Sequence, residues 1–274
     1  MKLYQSEISL TRNSRGVYCL DPIKGCASGM SATPGGCYGD CYAARAAKLY
    51  GYDFSQSVRR SFRNSAHLSE VVRAIERCPQ TFIRMGCSGD PSEDWAHTML
   101  ILRMIHGCNR EVVIITRHWN PATGEQLAEM AGMNITFNTS VSALDSELVR
   151  QNSIEQHART KAVCRSVLRV VTADFNTENE TGRAMAEVQN RLLRMGPVID
   201  TVLRVGKKHP LAVAGVINLS REVFLGKKVW ASKFNKRTFM GKCSSCSEKC
   251  GESVDVGAQY KSRHGILKQL EMLQ

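Results

Sequence analysis

Three cysteines, Cys26, Cys37 and Cys41, lie in the glycine-rich segment GCASGMSATPGGCYGDCYAARA (25–46). A zinc ion would require a fourth ligand, whereas a [4Fe–4S] cluster held by three cysteine thiolates keeps one iron open to a substrate or cofactor. Glycines allow a loop to bend around a bulky cluster and to direct backbone N–H groups at its sulfur atoms. We therefore expect a metal-binding loop with no helix before Cys41 and a helix directly after it.

A second group of three cysteines follows much later in the sequence. Cys243, Cys246 and Cys250 have the spacing Cys-x2-Cys-x3-Cys in the polar stretch GKCSSCSEKCG (241–251). Such close spacing predicts a second metal site, which could be a zinc site or an auxiliary iron–sulfur cluster. It would take its fourth ligand from a distant residue, for which the candidates are Cys87, Cys164 and His264.

The composition is that of an ordinary globular protein, with 43% hydrophobic and 23% charged residues in 274. The N-terminal sequence lacks the apolar run of a signal peptide, and no apolar stretch is long enough to span a bilayer. We therefore expect a soluble, cytoplasmic protein without a membrane partner. In that setting the 11 cysteines favour metal binding over a disulfide framework.

Positive charge is concentrated towards the C-terminal end of the sequence. Residues 201–274 contain 14 Lys and Arg against 5 Asp and Glu, which accounts for +9 of the net charge of +12. Within them, KKVWASKFNKRTF (227–239) interleaves basic residues with Trp230, Phe234 and Phe239. Cations that bind phosphates and aromatic rings that stack on bases are typical of nucleic-acid recognition. The alternative is a solvated basic face whose aromatic side chains pack against the rest of the protein.

Short apolar runs alternate with helical patterns through the first three quarters of the chain. The expected strands are 16–20, 81–86, 111–119, 134–141, 166–175 and 197–205, and the expected helices between them include 65–78 with Ser65 as a possible N-cap, about 95–106, a helix after Pro121 that ends near Gly132, 144–164 and 179–195. This alternation predicts an α/β fold, a partial (β/α)6 TIM-like barrel over 1–206, followed by a basic cysteine-containing extension over 207–274. Functional residues should then lie at the C-terminal ends of the strands.

The cysteine loop resembles that of the radical S-adenosylmethionine superfamily, in which three cysteines follow the first strand of a partial barrel. The usual spacing there is Cys-x3-Cys-x2-Cys, whereas this chain has ten residues between Cys26 and Cys37 and three between Cys37 and Cys41. The sequence more closely resembles divergent members, often phage-encoded, that have a longer first gap and end the motif in Cys-Tyr-Ala, as Cys41-Tyr42-Ala43 does here. It resembles spore photoproduct lyase more distantly. The resemblance covers roughly residues 15–205.

The resemblance implies an enzyme that binds S-adenosylmethionine at a [4Fe–4S] cluster. One electron, supplied by a reductase or a flavodoxin-type electron donor, would cleave that cofactor to methionine and a 5′-deoxyadenosyl radical, which abstracts a hydrogen atom from the substrate. It also favours an iron–sulfur cluster at Cys243, Cys246 and Cys250. Together with the basic C-terminal residues, it leads us to expect a nucleoside or base in DNA or tRNA as the substrate, which would be rearranged or modified.

The resemblance also indicates which residues would bind the cofactor. Ser88, Gly89 and Asp90 in MGCSGDP (85–91) occupy the place of a turn that receives the methionine ammonium group, although an ordinary Asp-Pro turn would have the same sequence. Asn138, Ser140 and Ser142 end the fourth predicted strand, where the family binds the ribose and the carboxylate; a polar strand end is the alternative.

Basic side chains at two other strands are further candidates. Arg169 lies inside the fifth predicted strand, where burial is expected, and a buried cation needs an anionic partner such as the cofactor carboxylate. Arg117 and His118 end the third predicted strand and could serve an anion or a proton.

A second hypothesis needs no redox chemistry. A zinc-bearing nucleic-acid-binding protein would account for the basic charge and for Cys243, Cys246 and Cys250. It would not account for an open three-cysteine loop at the end of a strand.

Overall fold

The computed structural model describes residues 6–12, 17–196, 198–203, 205, 207–218, 222–225, 229–232 and 239–241. The predicted second metal site at Cys243, Cys246 and Cys250 lies outside these residues, as does Phe234.

The described chain alternates strands and helices. The strands are β1 Ser6–Glu7, β2 Thr11–Arg12, β3 Tyr18–Cys19, β4 Ile23–Lys24, β5 Val58–Ser61, β6 Phe82–Met85, β7 Glu111–Thr116, β8 Ile135–Ser142, β9 Arg165–Thr172, β10 Val198–Val202, β11 Glu222–Leu225, β12 Val229–Ser232 and β13 Phe239–Gly241. The α-helices are α1 Ala27–Ala32, α2 Tyr42–Leu49, α3 Ser65–Arg77, α4 Trp95–Ile105, α5 Gly124–Ala131, α6 Glu147–Lys161, α7 Glu180–Leu193 and α8 Pro210–Val213, and short 3-10 helices cover Cys37–Gly39 and Pro91–Asp94.

The chain forms two compact units. The first contains Met1–Thr139 and Gln151–Ser166, and the second contains Ser140–Arg150 and Val167–Gln274. The prediction from the sequence, a barrel over 1–206 and an extension over 207–274, stays a prediction.

The first unit is built on a parallel sheet. β3, β6, β7 and the first part of β8 are neighbours in that order, and β2 pairs antiparallel with β3 at the edge. A second sheet contains β1, β5 and β4, in which β5 is central. All four residues of β6 are buried, which fits a strand that is covered on both faces. The core includes Ile83, Met85, Ile114 and Phe137.

Helices α3 and α5 cover this sheet through apolar side chains spaced three and four residues apart, and both begin at capping residues. The N-cap of α3 is Asn64, whose side chain accepts a hydrogen bond from the backbone N–H of His67; the prediction of Ser65 is wrong by one residue. Thr123 and Gln126 form a capping box at the start of α5, two residues beyond the proline that predicted this helix.

The second unit also contains parallel strands. β9 pairs with β10 from Val198↔Leu168 to Val202↔Thr172, and α7 joins the two strands with Asn179 as its N-cap. β11, β12 and β13 form an antiparallel sheet. The α/β fold class predicted from the sequence is thus confirmed, whereas closure into a partial barrel stays a prediction.

Membrane-spanning helices are absent from the part of the chain that the structure describes, since none of its helices has the necessary length and apolar character.

Candidate metal centre

The cysteine loop begins where two backbone segments meet. Gly25 forms a parallel bridge with Gly89, and its N–H donates to the carbonyl of Ser88 at 2.9 Å. Gly25 has φ +86°, and a side chain at Gly89 would lie 2.5 Å from the carbonyl oxygens of Ile23 and Gly25. Only glycine fits this crossing. The loop entrance is therefore fixed to the turn that follows β6.

The loop contains a helix that the sequence analysis did not expect. α1 spans Ala27–Ala32, between the first and second cysteines. Its first N–H groups find acceptors outside the helix: Ala27 donates to Ser57 Oγ at 2.9 Å and Ser28 donates to Glu93 Oε1 at 2.9 Å. The negative charge of the Glu93 carboxylate also interacts favourably with the positive, N-terminal end of the helix dipole. The prediction of a helix-free loop is wrong because tertiary contacts satisfy this helix start.

Two of the three sulfur atoms lie beside Gly29. A Cβ atom at residue 29 would be 2.6 Å from Cys26 Sγ and 3.2 Å from Cys37 Sγ. The same position is 3.6 Å from Cζ2 of Trp119. The two sulfurs can therefore approach this backbone position only because residue 29 has no side chain.

Cys26, Ala47 and Phe54 form a buried apolar cluster. Cys41, the third cysteine, packs against this cluster, as does Trp119. The helix after the third cysteine is present, since α2 begins at Tyr42. Nevertheless, nowhere in the described residues are three Cys, His, Asp or Glu side chains arranged so that they could hold a metal ion.

The electrostatic environment keeps Cys26 protonated in this arrangement. Burial raises the pKa of its thiol well above the ordinary value, and the negative charges of Asp90 and Glu93 and the Cys37 thiol raise it further. Cys26 Sγ donates to Glu93 Oε1 at 3.4 Å. A metal bound here would have to displace this proton, as thiolate coordination generally does.

The turn after β6 is held by Asp21, a carboxylate that sequence analysis did not identify. Asp21 is 3% exposed and accepts backbone N–H groups from Gly86, Cys87 and Ser88 at 2.8–2.9 Å. The hydroxyl of Ser88 also donates to it, at 2.7 Å. Hydrogen bonds of this kind to a buried carboxylate are strong. They fix the turn whose Ser88 carbonyl accepts the N–H of Gly25.

Asp90 is directed into the protein. Its Oδ1 accepts hydrogen bonds from Ser92 N, Ser92 Oγ and Thr116 Oγ1, and its Oδ2 accepts one from Arg117 N. Burial raises the pKa of the Asp90 carboxyl, although these hydrogen bonds act in the opposite direction. A carboxylate offers about four lone-pair positions, so the protein's own donors fill them. Asp90 thus joins the turn after β6 to the end of β7.

Arg117 brings positive charge to the cysteine loop. Its guanidinium carbon lies 4.8 Å from the ring centroid of Tyr38 and 5.0 Å from that of Trp119, and Nη1 donates to the Tyr38 hydroxyl. Tyr38 directly follows Cys37. Cations stack favourably on aromatic faces, so this arrangement links the end of β7 to the second cysteine.

His118 is fully buried next to Arg117. Its Nε2 lies 3.0 Å from Thr139 Oγ1, whereas Nδ1 has no hydrogen-bond partner among the described residues. Burial lowers the pKa of His118 to about 3, with a further contribution from the positive charges of His157 and Arg159. The imidazole is therefore neutral at physiological pH.

Two non-glycine residues of the described chain have positive φ, and both lie in this region: Tyr38 at 63° and His118 at 52°. β7 ends at Thr116, three residues earlier than predicted, because the chain has left the extended conformation by His118. Such conformations cost free energy and cluster at functional sites. This strain indicates a function for the region where the loop meets the end of β7.

The predicted cofactor-binding residues of the later strands are placed as follows. Asn138 is buried in the first unit and pairs with Ile115 in register. In the second unit, Ser142 is buried and donates to the carbonyl of Val171 at 2.7 Å, and Ser140 is half-buried. Arg169 is also half-buried, since it lies on the strand face opposite Leu168, so the expected full burial is not observed.

Asp21, Glu93 and Trp119 are the residues of this site that sequence analysis missed. The dipeptide Asp21-Pro22, directly after a predicted strand, is a turn signal that could have drawn attention to the carboxylate. Glu93 and Trp119 carry no such signal, because their roles depend on which segments meet in three dimensions.

Comparison with known proteins gives few matches. No protein-family profile matches the chain, and no curated protein matches it. Among solved structures, the chain is similar to a single-residue variant of spore photoproduct lyase, with a TM-score of 0.46 and 12% sequence identity, over 93% of this chain and 76% of the other.

Proposed function

We propose that this protein is an enzyme of the radical S-adenosylmethionine type, in which Cys26, Cys37 and Cys41 hold a [4Fe–4S] cluster. The observation that carries the proposal is the position of Gly29, where Cys26 Sγ and Cys37 Sγ flank a point that no side chain occupies. Cys41 packs against the same apolar cluster. Three cysteines, two of them beside Gly29 and the third in the same apolar cluster as Cys26, with no fourth thiol in the loop, suit a cluster that keeps one iron open.

The donor set fits this group. Thiolates are the ligands that iron–sulfur clusters take, and the loop supplies three of them together with a cation, Arg117, near the second. Cluster binding would require the three sulfurs to converge and Cys26 to transfer its proton, for which the carboxylate of Glu93, 3.4 Å away, is the nearest acceptor. A bound cluster would supply the electron that cleaves S-adenosylmethionine to methionine and a 5′-deoxyadenosyl radical.

The residues of the first unit would position the cofactor. Both oxygens of Asp90 already accept hydrogen bonds. In this proposal the methionine ammonium group is therefore received by the carbonyl of Gly89 and by the second lone pair of the Ser88 carbonyl, which already accepts the N–H of Gly25. Asp90 then acts by fixing the end of β7. In the same unit, Asn138 is a proposed contact to the ribose or carboxylate of the cofactor. Ser140, Ser142 and Arg169 belong to the second unit, and their contacts to the cofactor stay a prediction.

His118 would contribute a neutral imidazole. Its Nε2 is engaged with Thr139, and Nδ1 has no hydrogen-bond partner among the described residues, so Nδ1 is the atom that we propose for a contact to a bound group. A neutral histidine can donate or accept a hydrogen bond without adding charge.

We further propose that the substrate is a nucleoside or base in DNA or tRNA and that a flavodoxin-type protein supplies the electron. The nucleic-acid substrate is supported by the excess of +9 charges in residues 201–274 and by the aromatic residues that lie among those cations in the sequence. A second iron–sulfur or zinc site at Cys243, Cys246 and Cys250 belongs to the same proposal.

The experiment that tests the proposal is a measurement of iron, acid-labile sulfide and zinc in anaerobically purified protein. Two [4Fe–4S] clusters would give about eight irons per chain, which should fall to about four in a variant with Cys26, Cys37 and Cys41 all changed to Ala. Formation of 5′-deoxyadenosine after reduction, lost in that variant, would then report the chemistry. Zinc without iron after reconstitution would instead support the second hypothesis, a zinc-bearing nucleic-acid-binding protein. That hypothesis also accounts for the basic charge.

A further inference from the structure

Cys19 and Cys87 lie at the ends of neighbouring parallel strands. Cys19 is the last residue of β3 and pairs with Arg84 of β6, and Cys87 follows β6 in the turn. Their Sγ atoms are 2.6 Å apart. A disulfide bond is about 2.0 Å long, so little movement separates this dithiol from a covalent bond.

The surrounding contacts hold the two sulfurs at this distance. The backbone N–H of Cys87 donates to Asp21 Oδ1 at 2.9 Å, and Asp21 lies two residues after Cys19. Cys19 Sγ is also directed at the carbonyl of Val17, at 3.6 Å. The same carboxylate therefore anchors the turn of Cys87 to the segment that follows Cys19. Residues 68 positions apart in the chain are brought together in this way.

We propose that Cys19 and Cys87 are a site of reversible thiol–disulfide modification, with a low-molecular-weight disulfide as the oxidant. Neither residue belongs to the three-cysteine loop, and the inference does not rest on the proposed function. Cys87 is also one of the three candidates for the fourth ligand of the predicted second metal site, so the proposal assigns it a different role. Of the five cysteines outside the two groups of three, it gives Cys19 and Cys87 a chemical role for which sequence spacing offers no sign.

The exchange balances in two steps. The Cys87 thiolate attacks one sulfur of the external disulfide, so that the external S–S bond breaks, a mixed disulfide forms and one thiolate leaves. Cys19 then loses its proton and attacks Cys87 Sγ, which releases the second thiolate. The two protons of the protein thiols pass to the two released thiolates, so the protein is oxidised by two electrons and the external disulfide is reduced by two.

Exposure decides the order of these steps. Cys19 is only 1% exposed, whereas Cys87 is half-buried, so we assign the first attack to Cys87, the more exposed of the two residues. Its hydrogen bond with Cys19, burial and the charge of Asp21 raise the pKa of Cys87, and Arg84 acts in the opposite direction. The first step is therefore slow at neutral pH, because few molecules carry the thiolate.

The bond would act on the neighbouring loop. It would tie the end of β3 to the turn of Gly86, Cys87 and Ser88, and the carbonyl of Ser88 accepts the N–H of Gly25 at the entrance of the cysteine loop. Oxidation would thus restrain the backbone on which the proposed metal centre rests.

The test is peptide mapping of the full-length protein. Oxidised glutathione is added at about pH 8.5, near the ordinary thiol pKa. Free thiols are then blocked in denaturant, and the protein is digested with trypsin. Cleavage after Arg15 and Lys24 releases peptide 16–24, in which Cys19 is the one cysteine, and cleavage after Arg84 and Arg103 releases peptide 85–103, in which Cys87 is the one cysteine.

We expect a linked peptide whose mass is the sum of the two minus two hydrogens, formed from most of the protein and separated again by dithiothreitol. It should be lost in Cys19→Ser and in Cys87→Ser, but kept in Cys78→Ser, which changes a buried thiol directed at a backbone carbonyl. Recovery of the two peptides only with blocked thiols or as separate glutathione adducts would overturn the proposal, and so would a link from Cys87 to any other cysteine. Iron content, measured on the same samples, reports the proposed function independently.

Discussion

Gly29 is the residue on which the proposed metal centre depends most directly. In a helix, alanine is more favourable than glycine by about 1 kcal/mol, so Gly29→Ala alone would be expected to help α1. Here the added methyl group would lie 2.6 Å from Cys26 Sγ and 3.2 Å from Cys37 Sγ. We predict that Gly29→Ala loses about four of the expected eight irons per chain, measured after anaerobic reconstitution.

The matched control is Gly124→Ala, at the first position of α5, where an added Cβ meets no atom within 4 Å. This variant should retain the iron of the wild type. Equal iron in both variants would show that the space beside Gly29 is not where a cluster binds.

The side chain of Asp21 accepts four hydrogen bonds near the site. Asp21→Asn can keep one oxygen as the acceptor for Gly86 and Cys87, but its amide group would face the N–H of Ser88, which is also a donor. We predict a loss of about 3 kcal/mol in the free energy of unfolding, since hydrogen bonds to charged groups contribute about 1.5–3 kcal/mol each. Urea denaturation measures it.

The smaller change Ser88→Ala removes only the hydroxyl that donates to Asp21. Its cost should be about 1 kcal/mol. If the two variants were equally stable, the backbone hydrogen bonds to Asp21 would contribute little.

His118 makes stability depend on pH. Its pKa falls to about 3 in the folded protein, below the ordinary value of about 6.5 in the unfolded chain. Between these values the unfolded chain binds the extra proton, so stability is complete above about pH 6.5 and declines as the pH falls towards about 3. The slope from one such group is about 1.4 kcal/mol per pH unit.

We predict that His118→Asn, which tolerates positive φ, reduces this slope when urea denaturation is repeated between about pH 4 and pH 7. The exposed His106→Asn serves as the control and should leave the slope unchanged. An unchanged slope in both variants would assign the pH dependence to other groups.

At the scale of elements, hydrophobic period and turn residues predicted most of the regular structure. The helix expected over 65–78 is Ser65–Arg77, and the strand expected over 81–86 is Phe82–Met85. In both, apolar side chains repeat at the period of the element that buries them, so the pattern is local. The three cysteines of the loop were found for the same reason: their spacing is visible in the chain.

The errors arise where a distant segment decides the local structure. Helix α1 was missed because Glu93 and Ser57 cap it from other parts of the chain. The end of β7 was placed too late because His118 adopts positive φ where β7 meets the loop. The hydrogen bonds that the Asp90 carboxylate accepts from Thr116 and Arg117 are another example. These donors lie more than 20 residues away in the sequence, so no local pattern predicts the contact.

Glu93 joins three segments, and this gives a prediction at the same scale. Its carboxylate accepts from Ser28 at the start of α1, from Cys26 and from Ser57 ahead of β5. Glu93→Gln should lower the free energy of unfolding by about 1–2 kcal/mol, because an amide cannot accept at both positions. Glu125→Gln, an exposed acid in the first turn of α5, should cost no more than about 0.5 kcal/mol. Similar losses would mean that Glu93 acts only through the helix dipole.

For the whole molecule, the net charge of +12 leads to a prediction about salt. If residues 227–239 contact phosphates, affinity for a single-stranded oligonucleotide should fall steeply with salt, with a log–log slope of about −0.7 per contact. We predict that Lys227→Gln with Lys228→Gln makes this slope shallower by about 1.4, as measured by fluorescence anisotropy across a salt series.

The control removes the same charge elsewhere. Arg73→Gln with Arg77→Gln changes two exposed cations of α3 and should leave the slope as in the wild type. Equal effects of the two double variants would show that net charge alone governs binding. Absence of binding at low salt would contradict the proposed class of substrate.

Asp21 has one more consequence, in the exchange of amide hydrogens with solvent. Gly86, Cys87 and Ser88 lie in a turn, where amides commonly exchange fast, yet all three donate to one buried carboxylate. A single opening event, the departure of Asp21, therefore exposes all three together. Their protection should rise or fall as a group, and the amide of Gly25, bonded to the carbonyl of Ser88, should follow them.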